Sequence, residues 1–541
     1  MTMSEISPAL RTLIERTGFT QDYLQRINTP YAAQLDHMDT FVAALHGVKS
    51  QEITISPDFD MDGITSGIIL YAGLSQLGFH ININIPDYTY GHDFSIEDVK
   101  DIVGSFPNTK VILTCDSGIN SAEGIKYAQS LGMQVLVTDH HEQEIDCPAE
   151  AFINPCQFNS TFPLPGICGA AVAYLLVVAY ARTYASPEEC KFLDLLQLFA
   201  GIGTVSDVMP LIHDNRFLVR KSLQLSRELV HNPHALRALQ STPSVHPRFL
   251  TAFEGYNQLL QELRIAENNL GESFYGYTLA PMFNAPRRVG TPMQDAFDIF
   301  LSEDAEERRQ AIVHLIAANT QRKQSVQDYL HTIDDTYAPY VYITDAPQGM
   351  LGLLAGHLMH ESQLPTAVVH VTSESGDSIE GSMRSPDYYP IVDSLNNVHG
   401  LEVVGHQGAG GVKGPLQSLL DALQDVKIPD DWEKEPALII GTENNDVAWY
   451  NENALKEIAD FLDSIGPFGK NFEYPVIELH VPYTAQVDYI GKEKQHMKIS
   501  APGCPPVLVW NTHELPANGI QIRFNYNVFR GFTTLQMIAQ N

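Results

Sequence analysis

A multidomain α/β protein that begins with a parallel sheet is what the sequence predicts, on three observations. At 541 residues the chain is too long for one hydrophobic core, and length alone implies about three to four domains. From the N-terminus to about residue 215, short apolar runs alternate with segments of helical periodicity, the pattern of parallel βαβ units. After residue 426 several short β-rich runs are separated by turn signals, as in a small barrel.

Within residues 1–215, "EITISP" precedes "DFDMDG", "KVILTC" precedes "DSGIN", and "MQVLVT" precedes "DHHE". Ligands of open parallel sheets sit at the carboxyl ends of strands, so these polar clusters are expected to converge. The longest apolar run, "AAVAYLLVVAYA" (Ala170 to Ala181), is shorter than the ~20 residues that span a bilayer and reads as a buried helix. Residues 216–335 are mostly helical, and "DAEERRQAIVHLIAANTQRKQSVQDYLHTI", rich in helix formers without Gly or Pro, predicts a long connecting helix. A second α/β unit, 336–425, begins near "YVYITDAP" and holds "GSMRS" and "GHQGAGGVKG". The polar "KIPDDWEKEP" then leads into the β-rich segment 426–541 with "PVIELHVPY", "QHMKIS" and "GIQIRFNYNVF".

Composition, with 44% hydrophobic and 18% charged residues, is that of an ordinary packed protein. The formal net charge of −32 by itself argues against a polyanionic partner, since long-range repulsion slows encounter, although an acidic surface also serves solubility. A local positive groove can coexist with it, because fields beyond about 8 Å are largely screened at physiological salt. The start "MTMSEISPALRTLIERTG" lacks the basic, then apolar, pattern of a secretory signal. Six cysteines form no CxxC pair, signalling neither a zinc ribbon nor a disulfide framework, and the cytoplasm is the expected compartment.

In "SPDFDMDGITSG" three aspartates, Asp58, Asp60 and Asp62, occupy every second position before Gly63. If the strand continues through them they share one face, with Gly63 permitting the turn into the next helix. Several carboxylates on one face do not all stay ionised at neutral pH without a cation. Asp-rich turns also cap helices and do nothing else, and Asp207 in "GIGTVSDVMP" taken alone would read that way. Asp116 after the second apolar run, His140 and His141 after the third, and Asp207 change that reading, making with the aspartate triplet four clusters expected at homologous strand ends. The inventory of carboxylate oxygens and one or two imidazoles, without thiolate, suits Mn²⁺ or Mg²⁺. Two such cations about 3.5–4 Å apart would need a bridging carboxylate and would assist an in-line phosphoryl displacement.

The stretches "DFDMDGITS", "CDSGIN", "VTDHHE", "INP" with "GICGAAVAY", and "GTVSDVMPLIHDNR" resemble, in order, the motifs of the DHH phosphoesterase superfamily. "LAPMFNAPRRVG", the "GSMRS" and "GHQGAGG" pair of the DHHA1 domain, and "GPFGKNFEYPVIE" with "HMKIS" are similar to the RecJ-type single-strand-specific exonucleases, from about residue 50 to the C-terminus. The resemblance implies a DHH catalytic domain with an N-terminal helical segment (1–215), a helical connector, a DHHA1 domain and an OB-like nucleic-acid-binding barrel. It makes Asp60 and Asp62 metal ligands, Asp116 the bridging carboxylate, His140 and Asp207 ligands of one cation, and Asp58 a support for the first metal. His141 would donate to an oxygen of the scissile phosphate. The nucleophile is then an activated water, with no side-chain nucleophile required.

RecJ-like enzymes hold the strand between the DHH and DHHA1 domains, so the resemblance assigns phosphate contacts to Arg288, Ser382, Arg384 and His406; guanidinium forks suit that geometry. Arg287 stands where the family usually has glycine, and a structural ion pair is the plain alternative for any one of these arginines. Tyr489, His496 and Trp510 are candidates to stack bases or are ordinary sheet residues. Two departures stand out: Tyr88 in "IPDYTYGHD" lies where many relatives carry an arginine for the terminal 5′-phosphate, and Ser56 stands where some have histidine. The implied activity is two-metal, 5′-to-3′ hydrolysis of single-stranded DNA in repair or recombination. Implied partners are the strand itself and a single-strand-binding protein or helicase, with a monomeric chain and no membrane. A phosphodiesterase of the same superfamily acting on short oligoribonucleotides or cyclic dinucleotides is the alternative within enzymes. A scaffold that binds single strands without cutting them is the alternative outside them, and its mark would be lost metal ligands.

Overall fold

Five strands, β1 (Glu52–Pro57), β2 (His80–Ile83), β3 (Val111–Cys115), β4 (Gln134–Thr138) and β5 (Ala151–Ile153), pair in parallel in the order β2-β1-β3-β4-β5. They belong to a computed structural model that describes residues 6–31, 34–163, 166–232, 236–373, 376–430, 432, 434–442, 444–510, 512, 519–529 and 532–540. Two compact units make up the chain: Met1–Ala280 with Gln294–Ile312 and Glu435–Asn541, and Pro281–Met293 with Val313–Lys434.

In the first unit, Ile53 and Ile55 of β1 and Val111, Ile112 and Leu113 of β3 are fully buried, as in parallel strands covered on both faces. The order reverses at β1, which lies between β2 and β3, so the crevice beyond the carboxyl ends of β1 and β3 is the expected ligand position. The apolar run read from the sequence is the buried helix Gly169–Tyr184. Among the described residues no helix is long and apolar enough to cross a membrane. The following helices also dock on this unit: Gln76, near the end of helix Met61–Gln76, donates to Ser244 O at 2.7 Å and accepts from His246 N at 2.8 Å.

In the second unit, β6 (Asp334–Tyr337), β7 (Val341–Ile343), β8 (Thr366–Val371), β9 (Ser378–Arg384), β10 (Glu402–His406) and β11 (Ala409–Pro415) form a sheet in the order β10-β11-β9-β8-β7-β6. Strand alternation divides its core: Ala367, Val369 and Met383 pack with Ile391, Leu395 and Leu419, whereas Val368 packs with Leu351, Leu354 and Leu358 of helix Gln348–Ser362. The predicted long helix is continuous over Ala305–Thr332.

The C-terminal strands belong to the first unit. Strands β12 (Leu438–Gly441), β13 (Val447–Ala448), β14 (Ile477–Leu479), β15 (Gln486–Ile490), β16 (His496–Ser500), β17 (Val507–Val509), β18 (Ile520–Phe529) and β19 (Phe532–Ala539) join in the order β13-β12-β14-β18-β19-β17-β16-β15. The short strands expected of a barrel are thus continued at one edge by β12–β14, where β12 pairs in parallel with both β13 and β14. Their core is shared with the N-terminal helices Pro8–Thr17 and Gln21–Asn28: Leu10, Leu13, Phe19 and Ile27 are buried with Leu455, Ile458, Phe472 and Met537. Each fully buried side chain of this kind contributes about 1.5–3 kcal/mol.

Candidate metal centre

The three aspartates of "DFDMDG" do not alternate along a strand. β1 ends at Pro57, Asp60 is the N-cap of helix Met61–Gln76, and Asp62 lies in its first turn. Capping explains the difference, because Asp60 Oδ1 accepts from the amides of Asp62 (2.8 Å) and Gly63 (3.1 Å), two donors that a helix start otherwise leaves unpaired. Gly63 serves close approach rather than a left-handed turn: a Cβ there would lie 2.3 Å from Asp58 O, so only glycine lets the strand end rest on the helix. Convergence of the carboxylates thus comes from a strand-to-helix turn.

Asp58 follows β1, is 5% exposed, and holds Oδ2 3.1 Å from His92 Nδ1. Asp62, 2% exposed, accepts from Gly169 N at 2.7 Å and Ala170 N at 3.0 Å, the first amides of helix Gly169–Tyr184. The positive end of that helix favours a carboxylate there. Asp116 follows β3 with φ of 59°, a left-handed conformation that Asp tolerates better than most residues. Asp207 departs from expectation: it is not at a strand end but caps the C-terminus of helix Gln197–Ser206. Gly203 of that helix explains how it arrives, since a Cβ there would meet Asp62 Oδ1 at 2.4 Å.

His140 joins these elements. Its Nε2 lies 3.0 Å from Asp116 Oδ1, 3.6 Å from Asp207 Oδ2 and 3.8 Å from Asp62 Oδ2. Three groups bring one donor atom each within 4.8 Å of one another: Asp58, Asp60 and Asp116; Asp62, His140 and Asp207; and Asp116, His140 and His141. Asp116 belongs to two of them, one including the Asp58–Asp60 turn and the other His140.

Burial and mutual repulsion make this a costly nest for free carboxylates. Desolvation, then the charges of Asp62, Asp60, Asp58 and Asp207, push the Asp116 carboxyl well above its ordinary value. Burial and Asp62 push Asp207 up to about 8. Asp58 and Asp62 are also raised, chiefly by burial. Burial lowers His140, leaving a neutral imidazole suited to a metal. Asp116 Oδ1 and Asp207 Oδ2 are buried, and among the described residues no hydrogen bond satisfies either oxygen. Oxygen-rich donors with an imidazole, high apparent proton affinity and two unsatisfied buried oxygens fit a hard divalent cation.

Sequence reasoning missed two residues here. Asp139, within the quoted "VTDHHE", accepts from Ile119 N at 2.9 Å through Oδ2 and from His140 N at 2.7 Å through Oδ1, and the same Oδ1 stands 2.7 Å from His141 Nδ1. Burial opposes a charged His141, yet the bond to Asp139 and nearby carboxylates raise it to about 9. His92 is the other, held beside Asp58 with its ring 4.4 Å from Phe59. The adjacent "DHH" and the "GHD" after "IPDYTY" were their signals. Tyr88 sits in a short turn, edge-on to Phe59 at 6.4 Å.

The expected phosphate-binding residues lie in the second unit. Ser382 and Arg384 share one face of β9, and Arg384 Nη1 donates to Ser382 Oγ at 2.9 Å. That face meets helix Gln348–Ser362, where the guanidinium lies against Gly352, and burial lowers the Arg384 pKa. Arg288 donates to Gly349 O in the same helix, and the carbonyl of Arg287 approaches Gly349. His406 ends β10 opposite Ala409, which pairs in turn with Arg384. On the C-terminal sheet, the His496 and Trp510 rings meet edge-on at 4.8 Å, and Tyr489 is half exposed on neighbouring β15.

Comparison with known proteins comes to the same region. Residues 52–202 match the DHH family, N-terminal domain. The single-stranded-DNA-specific exonuclease RecJ of Escherichia coli strain K12 is 27% identical over 586 aligned positions, covering 99% of this chain and 96% of that protein. The crystal structure of RecJ from Thermus thermophilus in complex with Mn²⁺ superposes with a TM-score of 0.72 at 21% identity, over 99% of this chain and 76% of the other. Its Mg²⁺ complex gives 0.68 at 20% identity, over 99% and 74%. The multidomain layout and the multi-stranded C-terminal sheet are therefore a shared fold.

Proposed function

We propose that the chain, similar to the DHH family over residues 52–202 and to RecJ over nearly its whole length, is a divalent-cation-dependent exonuclease hydrolysing the phosphodiester bonds of single-stranded DNA from 5′ to 3′. The observation that carries this reading is Asp116, whose carboxylate belongs to the set with Asp58 and Asp60 and also stands 3.0 Å from Nε2 of His140, a member of the set with Asp62 and Asp207. One carboxylate between two donor sets suits two adjacent cations, and a lone structural ion would not need it.

Asp58, Asp60, Asp62, Asp116, His140 and Asp207 would hold the cations, which when bound supply charge for the developing phosphorane and a water acidic enough to attack at neutral pH. His92 fixes the Asp58 carboxylate through their 3.1 Å contact, and the Gly169 and Ala170 amides fix Asp62. Both are then pre-oriented before substrate arrives. His141 keeps its proton below about pH 9 and donates from Nε2 to a non-bridging oxygen of the scissile phosphate, while Asp139 holds Nδ1. Arg288, Ser382, Arg384 and His406, with Arg287 beside them, would contact flanking phosphates. A monomeric chain in the cytoplasm, handed its strand by a single-strand-binding protein or helicase in repair or recombination, fits this reading.

The test is digestion of 5′-labelled and 3′-labelled single strands with Mn²⁺, against duplex and RNA controls. Immediate release of the 5′ label as mononucleotide, with the 3′ label kept on shortening fragments, is expected. The opposite order, or equal cutting of duplex, would overturn it.

A further inference from the structure

Asp207 reaches the metal centre on a turn that the rest of the chain has to hold. It caps helix Gln197–Ser206, with Oδ2 3.6 Å from His140 Nε2. The segment that follows is bracketed by two left-handed residues that are not glycine, Val208 with φ of 52° and His213 with φ of 51°. A β-branched side chain is among the least suited to that conformation, which persists only where the surroundings impose it. Locally, the amides of Val208 and Met209 donate to Val205 O and Thr204 O, each at 3.1 Å.

Further support comes from both ends of the chain. Leu211 donates its amide to Lys470 O at 2.8 Å, and a Cβ on Gly469 would lie 2.8 Å from Leu211 Cδ1, so the loop "GPFGKNF", Gly466 to Phe472, rests directly on the turn. Arg216, fully buried in helix His213–His231, fastens that loop. It donates to the carbonyls of Pro467 (2.6 Å) and Gly466 (3.2 Å) and to Ile465 O, and its guanidinium lies 4.4 Å from the Phe472 ring centroid. From the N-terminal side, Asn28 Oδ1 accepts from Arg216 Nε at 2.6 Å, and Thr29 O stands 3.0 Å from His213 Nδ1. A buried guanidinium needs several acceptors in one fixed plane, so it locks these segments into a single arrangement.

We propose that Arg216 is a positioning residue for the metal centre: by fastening the loop Gly466–Phe472 against the segment after Asp207, it keeps that carboxylate beside His140, so that cation affinity depends on the seating of the C-terminal segment. The inference deepens the exonuclease reading and rests on its metal centre. A ligand that must be moved into place before it binds weakens the site by the cost of moving it, and a ligand already oriented does not. Asp207 belongs to the donor set with Asp62 and His140, whereas Asp58, Asp60 and Asp116 form a set on the turns after β1 and β3. The clamp therefore acts on one cation and leaves the other.

Calorimetric titration of the full chain with Mn²⁺, without nucleic acid, tests it on wild type, Arg216→Lys and Gly469→Ala, alongside hydrolysis of a single-stranded oligodeoxynucleotide. Gly469→Ala keeps the guanidinium and presses only on the Leu211 side chain, so it carries the test where Arg216→Lys does not fold. In each folded variant one cation is expected to bind about tenfold more weakly, as when a residue that orients a ligand is lost, while the other keeps its wild-type affinity. Hydrolysis should then need about tenfold more Mn²⁺ for its half-maximal rate and regain the wild-type kcat at saturation. Variants that melt lower yet bind both cations as wild type does would overturn the proposal, as would equal weakening of both. Wild type that binds Mn²⁺ but leaves single strands intact would instead refute the exonuclease reading, so the two failures are separable.

Discussion

Asp139 Oδ1 stands 2.7 Å from His141 Nδ1 and also accepts the His141 amide at 3.2 Å, so one carboxylate fixes both the position and the protonation of the imidazole. The carboxylate also accepts the amides of His140 and Ile119, and the Asp139 amide donates to Ile153 O at 3.1 Å, so the group is held from three directions.

Replacing that anion gives a prediction with a defined sign. His141 is raised to about 9, so in wild type the charged donor is present below that pH and is lost as pH rises through it. Asp139→Asn removes the hydrogen-bonding charge, and the alkaline limb of kcat/KM is expected to move from near pH 9 toward the ordinary histidine value of about 6.5. At pH 8 the variant should lose about thirtyfold in activity, and little at pH 6. A pH–rate profile with fixed Mn²⁺ checks this, and an alkaline limb left in place would remove His141 from the role of charged donor.

Stability without metal should fall as pH rises, the reverse of the usual carboxylate behaviour. Asp207 is pushed up to about 8, against about 3.9 in an unfolded chain, and Asp116 is raised well above its ordinary value. Between those values the native state binds more protons than the unfolded one, so each raised carboxyl stabilises the fold at low pH and that contribution is lost on the way up to pH 8. Cations replace the protons and abolish the slope. The melting-temperature gap between Mn²⁺-loaded and EDTA-treated protein is therefore expected to widen from pH 5.5 to pH 8. A constant gap across that range would contradict the account.

The residues that sequence reading located best were those whose signal is local. "EITISP", "KVILTC" and "MQVLVT" carry their strand character and polar ends within a dozen residues, and β1, β3 and β4 lie where those runs stand. The alternation argument for "DFDMDG" went astray because a capping carboxylate and a helix start compete with strand continuation, and Gly63 tipped the balance through contact with Asp58 O. Asp207 was misassigned to a strand end because its neighbours in space, His140 and Asp62, are far from it in sequence. The shared core of Leu10 and Phe19 with Phe472 and Met537 is non-local in the same way, and no window of the sequence contains it. Asp139 was in plain view beside the histidines, but only the 2.7 Å contact separates an orienting carboxylate from a metal ligand.

Asp116→Asn separates the charge of the centre from its shape. Asparagine tolerates the left-handed backbone that Asp116 adopts, so the variant is expected to fold. It keeps one carbonyl oxygen as a donor but cannot bridge two cations with a full charge, and kcat in saturating Mn²⁺ is expected to fall at least about a thousandfold. Removing one member of a mutually repelling set also relieves Asp62, Asp60, Asp58 and Asp207, which raise its own carboxyl. At pH 8 the EDTA-treated variant should therefore melt higher than EDTA-treated wild type, by a few degrees, even as its Mn²⁺-dependent rise in melting temperature shrinks. A merely structural aspartate would show the opposite, with lower stability in every condition and hydrolysis close to wild type, and that pair of results would refute the bridging role.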